Sequence, residues 1–277
     1  MTALLQQTKF LLKRYRIFPR KKLGQNFMVD KFVLQLIVDY AELEEDDIVL
    51  EIGAGLGFLT ELLARKAEKV IAVEIDPRLT RVLRKRLRGF DNIEIIEGNI
   101  LKTQIPFFNR VASTPPYSIS SPLLFWLLNK NFESAVLTFQ EEFAERLNAP
   151  VGSENYSRLT VSVYYHAEVE ILDLVPKEAF YPPPEVDSVI VRIKPRKTPP
   201  FKLKNQKMFE DIVNALFTQK NKKVRNALVK FLIKKIKSKK EALKIADSLP
   251  FKDKRVRELA PEDFGALANE LSQKNLL

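Results

Sequence analysis

Ile48-Val49-Leu50-Glu51-Ile52-Gly53-Ala54-Gly55-Leu56-Gly57 is the stretch that decides the fold. Its first half, apolar except for Glu51, has the length and β-branched content of a buried strand. The alternating glycines that follow permit a tight turn and let a ligand approach the backbone closely, and helical spacing begins at Phe58. Strand, glycine turn and helix together make the first unit of a nucleotide-type pocket.

The same alternation continues down the chain. Apolar runs at 69–74, 93–97, 110–113 and 135–139 read as further buried strands, and residues 58–66 and 77–87 between them carry apolar positions at helical spacing. This pattern predicts a parallel sheet with helices on both faces, a Rossmann-like, doubly wound α/β fold. Runs at 169–175 and 186–193 bracket the turn Phe180-Tyr181-Pro182-Pro183-Pro184 and extend the sheet at one edge. His166, the sole histidine, falls in a strand-like apolar run and reads as structural, as does Trp126 in the core. Prolines at 195, 199 and 200 mark a linker. Beyond it, Phe209, Ile212, Val213, Leu216 and Phe217 share one helical face, and Phe264, Leu267, Ala268 and Leu271 share another. The expected domains are therefore 1–194, binding the cofactor, and 201–277, a small all-α domain.

The formal charge of +11 in 277 residues attracts polyanions, so nucleic acid leads the expected partners, with an anionic membrane behind it. Lys9, Lys13, Arg14, Arg16, Arg20, Lys21 and Lys22 crowd the start, and lysines crowd the region after Lys194. Lys222, Lys223 and Arg225, on an amphipathic helical stretch, are the expected phosphate contacts. The chain has no cysteine, which excludes disulfides, thiolate catalysis and zinc held by sulfur. No metal-binding cluster, signal peptide or spanning segment is visible, and a cytoplasmic monomer is expected.

Three strand ends carry the cofactor reading. A pyrophosphate-binding turn wants glycine where Phe58 stands, so the G-x-G-x-G spacing departs from the dinucleotide fingerprint, and S-adenosylmethionine, which has no phosphate, fits better. Glu74 closes the second strand, where one carboxylate can accept both hydroxyls of a ribose, and Asn99 follows the third, within reach of an adenine rim. Asp76, followed by Pro77, reads as a helix cap. The fourth strand runs into Ser113-Thr114-Pro115-Pro116-Tyr117. An exocyclic adenine nitrogen is a poor nucleophile because its lone pair is delocalised. It needs acceptors to hold it as an amine aimed at the methyl group: the Thr114 hydroxyl and the Pro115 carbonyl, with the Tyr117 face for an unstacked base. Phe180 is the candidate second wall. Proximity supplies much of the acceleration, and no nucleophilic side chain is required.

With these residues in place the chain resembles the ribosomal RNA adenine N6-dimethyltransferases, class I methyltransferases in fold, over essentially its whole length. Lys22-Leu23-Gly24-Gln25-Asn26-Phe27 resembles that family's amino-terminal motif, Glu51 to Gly57 its cofactor loop, Thr114 to Tyr117 its catalytic loop and Phe180 to Ser188 its late proline-rich motif; 214–228 and 257–271 resemble its C-terminal helices. The resemblance implies that Gln25, Asn26 and Phe27 close over the cofactor, that Gly53, Glu74 and Asn99 hold it, and that Tyr117 and Phe180 sandwich the target base. The expected cofactor set is Gln25, Asn26, Phe27, Gly53, Gly55, Glu74, Ile75, Asn99 and Thr114, and the catalytic set is Thr114, Pro115, Tyr117 and Phe180. The implied substrate is two adjacent adenines near the 3′ end of small-subunit rRNA, each methylated twice during ribosome biogenesis.

Two positions depart from the family: Thr114 stands where Asn is usual, and Asn99 where Asp is usual. Two other readings follow, a methyltransferase acting on one adenine of large-subunit rRNA and a non-catalytic RNA-binding assembly factor on the same scaffold.

Overall fold

The computed structural model describes residues 3–274 and divides into two compact units, Met1–Ala144 with Val169–Pro195, and Glu145–Glu168 with Arg196–Leu277. The outermost residues of the expected domains, 1–2 and 275–277, lie outside the described residues.

In the first unit, α1 (Ala3–Arg14) precedes a two-residue strand β1 (Phe27–Met28) and α2 (Lys31–Tyr40). Asp30 caps α2, its Oδ1 accepting the Phe32 and Val33 N–H groups. Then come β2 (Ile48–Ile52), α3 (Phe58–Ala64), β3 (Lys69–Glu74), α4 (Pro77–Arg86), β4 (Ile93–Glu97), β5 (Arg110–Ser113), α5 (Ser120–Leu127), β6 (Ser134–Gln140) and α6 (Glu141–Glu145). After the second unit's first segment the sheet resumes with β7 (Ala167–Val175), β8 (Phe180–Tyr181) and β9 (Ser188–Pro195).

The main sheet has the order β4-β3-β2-β5-β6-β9-β7. The pairs β3–β4, β2–β3, β2–β5 and β5–β6 are parallel, and β9 lies antiparallel to β6. The strand order reverses between β2 and β5, and in open α/β sheets a ligand crevice forms outside the carboxyl ends at that switch point. Val49, Leu50, Val70, Ile71, Val111, Ala112, Val136 and Leu137 are fully or almost fully buried, as strands covered on both faces require.

The second unit contains α7 (Arg158–His166), α8 (Gln206–Phe217), α9 (Val224–Ile236), α10 (Lys239–Ser248) and α11 (Pro261–Gln273). Its core joins Phe209, Ile212, Leu216, Leu228, Phe264 and Leu267 to Tyr156, Val161 and Tyr165.

Four expectations change here. Residues 145–168, expected in the first domain, pack into this helical core, because Tyr156, Val161 and Tyr165 give the segment an apolar face that only the helices cover, and the buried Tyr156 hydroxyl donates to the Leu259 carbonyl at 2.8 Å. His166 ends a helix rather than lying in a strand; burial lowers its pKa. Trp126 is half-buried, stacked on Phe108 at 6.3 Å with Lys130 over its ring. Pro195, expected in the linker, is the last residue of β9.

Candidate functional site

The carboxyl ends of β2 and β5 are fastened together by one side chain. Ser113 Oγ donates to the Ile52 carbonyl at 2.6 Å and accepts the Ile52 N–H at 3.1 Å, both groups buried. This clamp fixes the lips of a crevice, open on one side, into which four strand ends deliver residues: Ile52, Gly53 and Gly55 from β2; Val73, Glu74 and Ile75 from β3; Gly98, Asn99 and Ile100 from β4; Thr114 to Ile119 from β5. Gln25, Asn26, Phe27 and Phe180 complete the wall, so every residue of the expected cofactor and catalytic sets borders this one crevice.

The glycine turn is conformationally specific. Gly53, Gly55 and Gly57 have φ of 79°, 58° and 80°, in the left-handed region that side chains resist. At Gly57 the space is also taken, since a Cβ there would stand 2.7 Å from Leu83 Cδ2. Glu74, 5% exposed, holds the turn: one carboxylate oxygen accepts the Gly55 N–H at 2.9 Å and the other the Asp76 N–H at 2.9 Å. Each oxygen retains a lone pair for a diol. Burial raises the Glu74 pKa, and the backbone donors oppose that rise.

Asp76 caps α4 through the Arg78 N–H and accepts Gln25 Nε2 at 2.9 Å. The Arg78 guanidinium, 2.5 Å away, is the main influence that holds its carboxyl well below the usual carboxylate range. Gln25 also accepts the Arg20 N–H at 2.8 Å, so its amide is spent bracing the loop against the sheet edge, while Asn26 makes no side-chain hydrogen bond among the described residues. Phe27 pairs with Tyr181, and Met28 with Phe180, in a small antiparallel ladder that sequence periodicity does not reveal because each strand has two residues.

Beneath the turn lies Glu51, 2% exposed, and its Oε2 has no hydrogen-bond partner among the described residues. Burial pushes this carboxyl up to about 8, so it is neutral at pH 7. Asn99 Oδ1 accepts the Leu101 N–H at 3.0 Å, which leaves its NH₂ group to face the crevice chemistry.

On the loop after β5 the Pro116 carbonyl is committed to the Ile119 N–H at 3.1 Å, whereas the Thr114 hydroxyl and Pro115 carbonyl have no hydrogen-bond partner among the described residues. Those two are unspent acceptors bordering the crevice. The Tyr117 hydroxyl is 2.6 Å from Ser188 Oγ, and burial pushes its pKa up to about 12, so it is not a proton acceptor at neutral pH. Ser188 is a crevice support that the sequence reading missed. Tyr117 and Phe180 do not form the expected sandwich: their centroids are 6.1 Å apart and their planes meet at 75°, edge to face. A base between two rings needs parallel faces about 7 Å apart, twice a carbon contact distance, so no base fits between Tyr117 and Phe180 as the rings stand.

Lys222, Lys223 and Arg225 belong to the second unit and are no part of the crevice. Lys222 is exposed, Lys223 pairs with Asp253 at 3.4 Å, and Arg225 is held by both oxygens of Asp247 at 2.5 and 3.1 Å. Among the described residues no group of three or more His, Asp or Glu is placed to hold a metal ion, and no helix is long and apolar enough to cross a membrane.

A switch-point crevice with a glycine turn, a buried acid and a polar third-strand end defines a Rossmann-like protein that binds a nucleoside cofactor. Comparison with known proteins narrows this. Residues 18–269 match the ribosomal RNA adenine dimethylase family, and the chain belongs to that family. It is 46% identical over 250 residues, 89% of this chain and 91% of the relative, to a probable ribosomal RNA small subunit methyltransferase A of Methanosarcina acetivorans. Among solved structures, a dimethyladenosine transferase from Plasmodium falciparum is 36% identical with a TM-score of 0.75, covering 90% of this chain and 98% of that one. The 23S rRNA methyltransferase ErmE is 30% identical with a TM-score of 0.67, covering 90% and 100%.

Proposed function

We propose that this chain transfers methyl groups from S-adenosylmethionine to N6 of two adjacent adenines near the 3′ end of small-subunit rRNA during ribosome biogenesis, acting as a cytoplasmic monomer. Glu74 accepts the ribose diol, the Asn99 NH₂ donates to a ring nitrogen of the cofactor's adenine, and the Gly53 to Gly55 backbone and Ile75 line its bed, with Gln25, Asn26 and Phe27 over it. The bound cofactor supplies an electrophilic methyl group on a sulfonium.

The observation that carries the proposal is the pair of unspent acceptors beside the Tyr117 ring. The Thr114 hydroxyl and Pro115 carbonyl draw the two N–H bonds of an adenine amine out of conjugation, and the ring supports the flipped base. The amine's proton leaves after the methyl group has arrived, so the buried, neutral Tyr117 hydroxyl serves as an anchor to Ser188 and not as a base. Thr114 is shorter than a carboxamide and reaches the amine directly or through one water.

The test is transfer of labelled methyl groups to unmethylated small subunits, followed by nucleoside analysis. N6,N6-dimethyladenosine in small-subunit RNA is expected. Its absence, with label appearing in large-subunit RNA instead, would move the substrate to the reaction named for ErmE; RNA binding without cofactor binding by calorimetry would leave an assembly factor.

A further inference from the structure

The chain's net charge and the first unit's charge pattern are separate facts. Unit 1 holds 23 basic and 23 acidic side chains and is neutral by count, while unit 2 carries the whole +11. Within unit 1, however, the signs are sorted. Residues 1–29 contain seven basic side chains and residues 77–90 contain six, and neither segment contains an acidic one. A surface that is merely solvated mixes the two signs.

The structure brings these two segments together. Leu11, Leu12 and Ile17 of the first are packed in one cluster with Leu79 and Val82 of α4. At the seam, the Tyr15 ring has the Arg14 guanidinium 5.9 Å and the Lys85 ammonium 5.6 Å from its centroid. Toward the crevice, Lys9 sits 5.1 Å from the Tyr181 ring, the neighbour of Phe180, and Lys22 borders the crevice itself. Arg78 and Arg86 are occupied by Asp76 and Glu61, but Lys13, Arg14, Arg16, Arg81, Lys85 and Arg88 are exposed and form no ion pair among the described residues. Phe10 and Phe18 are 58% and 78% exposed in the same segment. Unpaired cations with exposed aromatic rings between them suit a strand that offers both phosphates and bases. An amphipathic membrane anchor would need the apolar stripe of α1 to be free, and Leu11 and Leu12 are already buried within the chain.

We propose that α1 and α4 form a phosphate-binding face on the cofactor-binding unit that holds the RNA strand flanking the target adenines at the crevice mouth. The face is built from unit 1 residues alone, and its assignment rests on the rRNA reading above.

The test uses the full-length chain carrying Arg81→Gln, Lys85→Gln and Arg88→Gln, with a second variant carrying Lys13→Gln and Arg14→Gln. A matched control carries Arg65→Gln, Lys102→Gln and Lys130→Gln elsewhere on the same unit. Binding of unmethylated small-subunit rRNA is measured across a salt series. The α4 triple variant is expected to bind at least about tenfold more weakly and to flatten the slope of log K against log salt by roughly 0.7 per lost contact, with cofactor binding and thermal midpoint unchanged. The control triple is expected to keep the parental slope. An α4 triple slope equal to the parent's overturns the proposal, and so does an equal loss in the control, which would make the effect one of overall charge. Loss of binding to phosphatidylglycerol vesicles with RNA binding intact would give the face to a membrane and overturn it also. If the parent chain neither binds nor methylates small-subunit rRNA, the functional reading falls; if it does both and the α4 triple matches it, only this proposal falls.

Discussion

The two units bury different things. Among the described residues the helical unit buries few polar side chains, Thr160 and the Tyr156 hydroxyl; Glu51, Glu74, Asp76, Ser113, Ser188 and most of the others lie in the sheet unit, several of them at strand ends around the crevice. The helical core is almost wholly apolar, and that unit's charges stand on its surface. Burying a polar group is costly unless its partners are in place, so each such group in the sheet unit fixes a geometry that one substitution can destroy. Solvated charges contribute by summation, and one substitution subtracts one increment. The contrast predicts abrupt effects around the crevice and graded ones on the helices.

Tyr117→Ala should break the crevice most completely. Removing the ring takes away the support for the base, and turnover is expected to fall by about 100-fold or more, the scale of a displaced reacting group. Cofactor affinity should stay within about threefold, because the cofactor's partners lie on the other strand ends. Tyr117→Phe keeps the ring and loses only the bond to Ser188, costing about 1 kcal/mol of stability with turnover largely retained. A cofactor affinity that collapses in Tyr117→Ala would refute the division of roles.

Gly57→Ala tests the turn as structure. The left-handed φ costs a side chain roughly 1–2 kcal/mol, and the 2.7 Å approach to Leu83 adds overpacking of roughly 1–3 kcal/mol. Denaturant unfolding should show a loss of about 2–5 kcal/mol; a loss below about 0.5 would mean that the turn relaxes freely.

Glu51→Gln isolates one buried carboxyl. Its folded pKa of about 8 lies above its ordinary value of 4.5, so the native state binds the extra proton, and stability is fully present below pH 4.5 and declines as pH rises toward 8. The amide cannot ionise. The variant should therefore lose part of the decline between pH 5 and 8, gaining on the order of 1–3 kcal/mol relative to the parent across that window. Parallel stability curves for the two chains would show that Glu51 is already paired or ionised.

These residues also mark what a reader of the sequence can and cannot see. The strands 69–74 and 110–113 are read to the residue, because a buried parallel strand is a bounded apolar run, and so is the half-buried edge strand 93–97, whose isoleucines still mark its extent. The strand ends then bring Gly53, Glu74, Asn99 and Thr114 to one crevice by topology alone. The pairing of Phe27 with Tyr181 was hidden, since two residues carry no period, and so was the helical affiliation of Tyr156 and Tyr165, since an apolar face does not name what covers it. The edge-to-face setting of Tyr117 and Phe180 depends on side-chain torsions that no motif encodes. Helix α1 was legible in principle: Leu4, Leu5, Thr8, Leu11 and Leu12 recur at helical spacing, and the basic residues among them drew attention away from it.

The smallest expected effects belong to the helical unit, and they separate a free charge from a spent one. Lys222 is exposed and unpaired, Lys223 shares its charge with Asp253 at 3.4 Å, and Arg225 is gripped by both oxygens of Asp247. A cation that must leave a carboxylate to meet a phosphate gains little by the exchange, since one anion replaces another. Neutralising Lys222 and Lys223 together should therefore flatten the salt dependence of RNA binding by close to one contact, roughly 0.7–0.9, and not by two. Arg225→Gln should leave the slope unchanged and lower the thermal midpoint slightly, because it releases α9 from Asp247. If Arg225→Gln flattens the slope as much as the lysine pair does, the bidentate bond opens for RNA, and the helical unit would then share with the crevice the property of fixing geometry through single side chains.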